Sequence, residues 1–340
     1  MAAVVGIDDL RRPGVYAVQL LAVAACYYAA ARLGLMRELS VEGAVVTPIW
    51  PPTGVAVAAL LILGLGCWPG ITIGALFAVM SLTTPRIEVL GTLAGQTGAP
   101  VCAVLLLRRA RFHTDLGRLR DGVALVFLGA LTAMLISATI GAGLLVLMDK
   151  LNGDTFWPVW LAWWVGDAMG VLLVTPLLLM LHGARWPPRL GRWKEATALV
   201  VVTFVVVPVA VYSSISVLYL VYPLIIWAAL RFQLVGSVLC ALLMSVLATV
   251  AATHRAGAFA GLSQIEIMAK LQAFNGAMAL TALLLSALIV EQRNTRSSVE
   301  RACQELVEVL EHLTAGEAPP PRAQPDTEGA DDRPGPTAPP

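Results

Sequence analysis

The chain is 340 residues long, 58% hydrophobic and only 13% charged, with a net charge of +1 and a mean hydropathy of +0.78. Soluble domains carry about 25% charged residues, so this composition excludes a soluble enzyme domain and marks an integral membrane protein. It also argues against a nucleic-acid partner, because there is no global basic field and no basic cluster interleaved with aromatics.

In chain order, residues 1–13 form a short cytoplasmic start, and the apolar run 14–34 is read as an uncleaved first membrane helix, because it has the length of a span and further spans follow. The next region, "PIWPPTGVAVAALLILGLGCWPGITIGALFAVM", holds two apolar stretches that meet at Gly66, Cys67, Trp68, Pro69 and Gly70. Each is short for a span of about 20 residues, so the region is either a tight hairpin of two short helices or a re-entrant pair. The tandem prolines Pro51 and Pro52 prevent helix at Trp50 and open one at Thr53, with Gly54 following. Such an entry either lines a cavity or is an interfacial turn with a tryptophan anchor.

Further apolar runs at 86–107, 121–147, 158–182, 196–213, 216–231, 234–252 and 267–290 bring the count to eight to ten membrane helices, an all-α polytopic bundle. Gly91 and Gly95 have the small-xxx-small spacing that favours close helix packing. With the N-terminus inside, the inner loops collect Arg11, Arg12, Arg108, Arg109, Arg111, Arg118, Arg120, Arg185, Arg189, Arg192, Lys194, Arg231, Arg293 and Arg296, which places both termini in the cytoplasm.

After the last span, "EQRNTRSSVERACQELVEVLEHLTAGE" is a charged helix over 292–315 in which Val299, Ala302, Leu306, Val309 and Leu313 recur at three- and four-residue spacings. It is either a short parallel coiled coil, through which a homodimer or a partner helix pairs at Val299, Leu306 and Leu313, or the solvated end of the last helix. The Pro-, Gly- and acid-rich tail 316–340 is expected to be disordered.

No P-loop, nucleophile elbow or zinc-protease motif occurs, so no catalytic residue is assigned. The five cysteines show no CxxC spacing and no neighbouring histidines, so neither metal nor cofactor is expected. His312 lies on the terminal helix but lacks the acidic residue that follows a phosphoacceptor histidine. The sharper residue is Asp167, in "WPVWLAWWVGDAMGVLLVTPLLLML". A charge at mid-membrane costs at least about 2.5–3.5 kcal/mol, so such a side chain faces the bundle interior, pairs, or serves a pathway. Helical spacing puts Trp160, Trp163, Trp164, Asp167 and Gly170 along one side. A structural hydrogen bond, a sensing role and a proton or ion relay all remain open. In "YPLIIWAALRF", Trp227 and Arg231 share a face, and Arg231 either snorkels to the inner surface or answers Asp167.

Six stretches in order, "PIWPPTGVAVAALLILG", "CWPGITIGALF", "LLLRRARF", "LAWWVGDAMGVLLVTPLLL", "YPLIIWAALRF" and "LTALLLSALIVEQR", closely resemble the bacterial MASE1 family. That is the membrane-associated sensor domain at the N-terminus of many histidine kinases and of cyclic-di-GMP cyclases and phosphodiesterases. The resemblance covers about Gly14 to Arg293 and implies a sensor domain over 14–291 in a bacterial inner membrane, surrounded by lipid and signalling through its last helix. It implies sensing positions at Trp50, Pro51, Pro52, Gly54, Trp163, Trp164, Gly166, Asp167, Trp227 and Arg231. Two departures stand out. Gln96, Gly98 and Ala99 replace an Asn and Leu-Glu pattern, and no output domain follows Glu291. The expectation is therefore a non-enzymatic sensor acting on a histidine kinase, a diguanylate cyclase or another membrane protein in trans. A transporter or channel for a small solute or proton is the alternative.

Overall fold

The computed structural model describes residues 13–36, 39–41, 44–82, 88–183, 193–213 and 218–315. The N-terminal residues 1–12, the basic positions Arg185, Arg189 and Arg192, the side chain of His312 and the tail 316–340 lie outside them. By its contacts the chain divides into two compact units, Met1–Glu291 and Gln292–Pro340. Seven described helices are long and apolar enough to cross a membrane, and two shorter apolar helices accompany them.

Helix α1 (Pro13–Leu35) is followed by a small antiparallel hairpin, β1 (Leu39–Val41) paired with β2 (Ala44–Val46). The hairpin is an addition to the all-α expectation, built where β-branched Val41, Val45 and Val46 suit extended backbone. Next come α2 (Pro51–Leu63) and α3 (Trp68–Met80), joined by a single 3-10 turn at Leu65–Cys67. Prolines sit in the first turn of both, where a missing N–H costs nothing, and Gly64 closes α2 with φ of 94°.

These two helices form a hairpin alongside α1. Pro51 and Trp50 lie against Gly34 near the end of α1, whereas the Tyr16 hydroxyl near its start donates to Gly66 O at 2.9 Å. From there α3 climbs parallel to α1: Gly70 backs onto Leu20, Gly74 onto Ala24, and Phe77 meets Tyr28 edge to face at 6.4 Å. Each arm of 13 residues rises only about 20 Å, which explains why neither reads as a full span.

Helix α4 (Glu88–Arg109) packs on α6 (Met134–Leu147), with Gly91 opposite Leu144 and Gly95 opposite Ile140. The short α5 (Leu119–Ala124) leads to α6 through a π-helical stretch, Leu125–Thr132, in which Thr132 Oγ1 bonds Phe127 O at 2.7 Å. Then follow α7 (Phe156–Gly183), α8 (Trp193–Tyr212), α9 (Tyr222–Thr253) and α10 (Gln264–Ala315). In α9 two helices meet at Gln233, where φ of 56° and ψ of −143° leave the helical region. Arg231 reaches Glu195 at the start of α8, whereas Gly257, beyond the second arm, packs on Val211 and Tyr212 at its end. The chain thus reverses at Gln233, as the separate apolar runs ending and starting there suggest. Ser237 of α9 bonds Ser286 of α10 at 2.5 Å.

Candidate functional site

The first turn of α2 enters the middle of α7 at glycines. The Trp50 N–H donates to Gly166 O at 2.9 Å. A Cβ at Gly170 would lie 1.9 Å from Trp50 O, one at Gly54 2.2 Å from Gly170 O, and one at Gly166 2.5 Å from Thr47 O. Only side-chain-free positions let the two backbones approach so closely. Tandem Pro51 and Pro52 leave no N–H to satisfy at the helix start, and the Trp50 carbonyl accepts from Thr53 Oγ1 at 2.8 Å. The same hydroxyl reaches Asp167 O at 3.0 Å, and Thr175 Oγ1 donates to Gly54 O at 3.1 Å. Within hydrocarbon such bonds replace the water that would otherwise solvate a broken helix end.

The Thr53 hydroxyl bridges both backbones, so Thr53→Val is expected to destabilise the protein by about 1 kcal/mol, the net value of one such bond. The check is the melting temperature of the detergent-solubilised variant, which should fall while expression persists.

This threading buries Asp167 at 0% exposure. Neither of its carboxylate oxygens makes a hydrogen bond among the described residues, and the nearby Ser137 hydroxyl of α6 does not reach bonding geometry. The Tyr27 hydroxyl of α1 is within electrostatic reach of the acid but donates instead to Gln96 Oε1 of α4 at 2.9 Å. That same oxygen accepts from the Trp50 indole at 3.3 Å. Four helices and the α2 entry therefore bring Tyr27, Trp50, Gln96, Ser137 and Asp167 into one buried polar cluster.

The tryptophans of α7 lie along the side that meets α6 and the π-helical stretch, the side on which Ser137 approaches Asp167. Trp157, Trp160 and Trp164 form a ladder with ring centroids 5.7 Å apart at each step, the last pair stacked. Trp164 donates to Leu131 O at 2.7 Å, a carbonyl in the π-helical stretch, and Trp160 donates to Thr139 at 3.1 Å. Trp163 instead fills the space over Gly141 of α6.

Arg231 does not answer Asp167. Its guanidinium is held by Glu195 of α8 in a bidentate pair, with Nη2–Oε1 at 2.6 Å and Nε–Oε2 at 2.9 Å. The fork geometry of guanidinium and carboxylate explains the choice, since Glu195 sits beside it at the end of the bundle. Trp227, one turn away, packs against the hydrophobic core. Among the sequence-derived positions, Trp50, Pro51, Pro52, Gly54, Gly166 and Asp167 thus converge, Trp163 and Trp164 brace α7 against α6 and the π-helical stretch, and Trp227 and Arg231 lie on α9. Tyr27, Thr53, Gln96 and Ser137 complete the cluster. Of these, Thr53 is marked in the sequence by the prolines before it and Gln96 by its departure from the family pattern, whereas Tyr27 and Ser137 carry no such signal.

Fold and site together define a multi-pass helical membrane protein built around a sealed intramembrane acid. The family model MASE1 matches residues 19–293, so the chain belongs to the MASE1 family of membrane sensor domains. The chain is 26% identical over 205 residues to the probable diguanylate cyclase DgcE of Escherichia coli (strain K12), an alignment covering 57% of this chain and 18% of that protein. It therefore spans less than a fifth of that relative's length. No solved structure matches the chain.

Proposed function

We propose that the chain is a non-enzymatic sensor module of the bacterial inner membrane, in which the Asp167 cluster receives a signal and the helix after Glu291 hands it to a separate signalling protein. The observation that carries this reading is an acid with no bonded partner among the described residues, at the point where the α2 entry meets α7. A polar group left unsatisfied inside hydrocarbon is expensive, and its retention argues for use rather than for stability. The relative named as a probable diguanylate cyclase supports an output of that kind, with a histidine kinase or another membrane protein as further partner classes. Both termini face the cytoplasm in this proposal.

The second unit offers a contact surface for that partner or for a second copy. Val299, Leu306, Val309 and Leu313 are all exposed along its helix, and Arg296 pairs with Glu300 one turn on at 2.8 Å. Placing aspartate at both Leu306 and Leu313 is expected to abolish co-purification of the partner while leaving the membrane unit folded, because charges at seam positions exclude helix pairing. Transport of a solute is the less favoured reading, since it needs a passage through the bundle and the close α2–α7 backbone contacts around the enclosed Asp167 leave none. The test is affinity purification from native membranes with the full chain and with residues 1–293. A kinase, cyclase or other membrane protein kept by the full chain and lost on truncation supports the proposal. Recovery of the chain alone, together with Asp167-dependent flux in proteoliposomes, would establish transport instead.

A further inference from the structure

Asp167 and Asp121 are the only buried charged side chains among the described residues, and they sit on different helices, α7 and α5. No lysine or arginine is buried with either. A carboxylate enclosed without counter-ion or bonded donor is far costlier than one that is paired, so something must neutralise it. The surroundings limit what that can be. Backbone contacts at Gly54, Gly166 and Gly170 leave less than a methyl group's width between α2 and α7, and Asp167 is entirely enclosed. A polar metabolite would have to part these helices, whereas a proton needs no cavity.

The groups around the acid are suited to registering its charge. Helix α2 brings Thr53 and the Trp50 indole, α4 brings Gln96, α6 brings Ser137, and none of these ionises. Among the described residues the titratable side chain tied into this cluster is Tyr27 of α1, joined through Gln96 to Trp50, whose backbone N–H bonds Gly166 beside Asp167. The faces of α9 and α10 buried in the bundle carry Ser237, Ser245, Thr249, Gln272, Asn275 and Ser286, the thiol Cys240, and no charge. The Tyr27 hydroxyl has a single proton to donate, and Gln96 Oε1 now holds it.

Resting on the reading of this cluster as the sensing site, we propose that its ligand is a proton: Asp167 is the acceptor, and its charge decides whether the Tyr27 hydroxyl donates to Gln96 or to Asp167. Uptake of one proton from water converts the carboxylate to a neutral carboxyl group. Loss of that proton returns a carboxylate that draws the Tyr27 O–H away from Gln96. The switch therefore breaks a bond between α1 and α4 and makes one between α1 and α7, the helix into which α2 is threaded.

The test is infrared difference spectroscopy on the full chain in lipid nanodiscs as pH is stepped. A protonated-carboxyl band that grows as pH falls and vanishes in Asp167→Asn is the expected result. Tyr27→Phe removes the donor that favours the charged form, so the midpoint should move to higher pH by about tenfold in proton concentration, the size of one hydrogen bond to a charged group. A band that survives in Asp167→Asn, or a midpoint unmoved by Tyr27→Phe, overturns the proposal. A carboxylate that responds to sodium at fixed pH and not to pH at fixed sodium also overturns it, in favour of a metal cation. Partner output separates the two levels. If it depends on Asp167 but not on pH, the sensing reading stands and the proton fails. If Asp167→Asn leaves output unchanged, the sensing reading itself fails.

Discussion

Replacing Gly170 with leucine is expected to abolish folding of the membrane unit. The Trp50 carbonyl occupies the space a Cβ would need, 1.9 Å away, and Thr53 Oγ1 lies 2.5 Å from the same point. Overpacking a core costs about 1–3 kcal/mol when side chains can yield, and more when backbone must move. Here both partners are backbone or tied to it: the Trp50 N–H is bonded to Gly166 O, and tandem prolines fix the chain direction beyond it. The α2 entry would have to leave α7 altogether, stripping the Trp50–Gly166 and Thr53–Asp167 bonds in a region without water. Gly143 on α6 is the control, since nothing stands within 4 Å of a Cβ there. Size-exclusion profiles of the two detergent-solubilised leucine variants should show aggregation for Gly170→Leu and a wild-type peak for Gly143→Leu.

The opposite sign is expected at Asp167. A structural carboxylate that loses its role destabilises a protein by about 3–5 kcal/mol, because its partner is left buried and unpaired. Among the described residues Asp167 has no bonded partner to strand. Asp167→Leu is therefore expected to stabilise the fold by about 1–3 kcal/mol, the penalty of an unsatisfied buried polar group that it removes. Asp167→Asn, nearly isosteric, should melt no lower than wild type and guards against a failure caused only by leucine's extra volume. Both variants should lose the signal. Gain of stability with loss of function is the signature of a residue kept for its chemistry, and thermal melts read beside partner output measure both halves.

The membrane helices were legible because apolar length alone marks them: the run 14–34 became α1 from Pro13 to Leu35, and the break between 231 and 234 fell on the Gln233 reversal. The hairpin from Leu39 to Val46 was not, since strands of three residues carry almost no periodicity. Nor was the π-helical stretch, because a five-residue hydrogen-bond offset leaves an apolar sequence looking like any other span.

At the site, Pro51, Pro52, Gly54 and Gly166 announce themselves by what they forbid, and Asp167 by its cost in hydrocarbon. Tyr27 gives no such sign, since a tyrosine in an alanine-rich helix reads as an interfacial anchor until tertiary packing brings Gln96 to it. Gln96 stands out in the sequence only as part of a departure from the family pattern, yet it supplies the acceptor that holds both the Tyr27 hydroxyl and the Trp50 indole. Arg231 illustrates the converse. Its charge made it a natural candidate counter-ion, but Glu195, 36 positions earlier, takes its guanidinium. Sequence spacing orders residues along one helix and is silent about which helix lies opposite.

The central claim is that Asp167 governs what the helix beyond Glu291 does to a partner. The most direct test is quantitative recovery of that partner, and assay of its output, from native membranes carrying the wild-type chain, Asp167→Asn or residues 1–293. The account predicts that Asp167→Asn yields a folded protein whose partner is still recovered but locked in one output state, while truncation loses the partner entirely. A partner whose output responds equally in wild type and Asp167→Asn would contradict it.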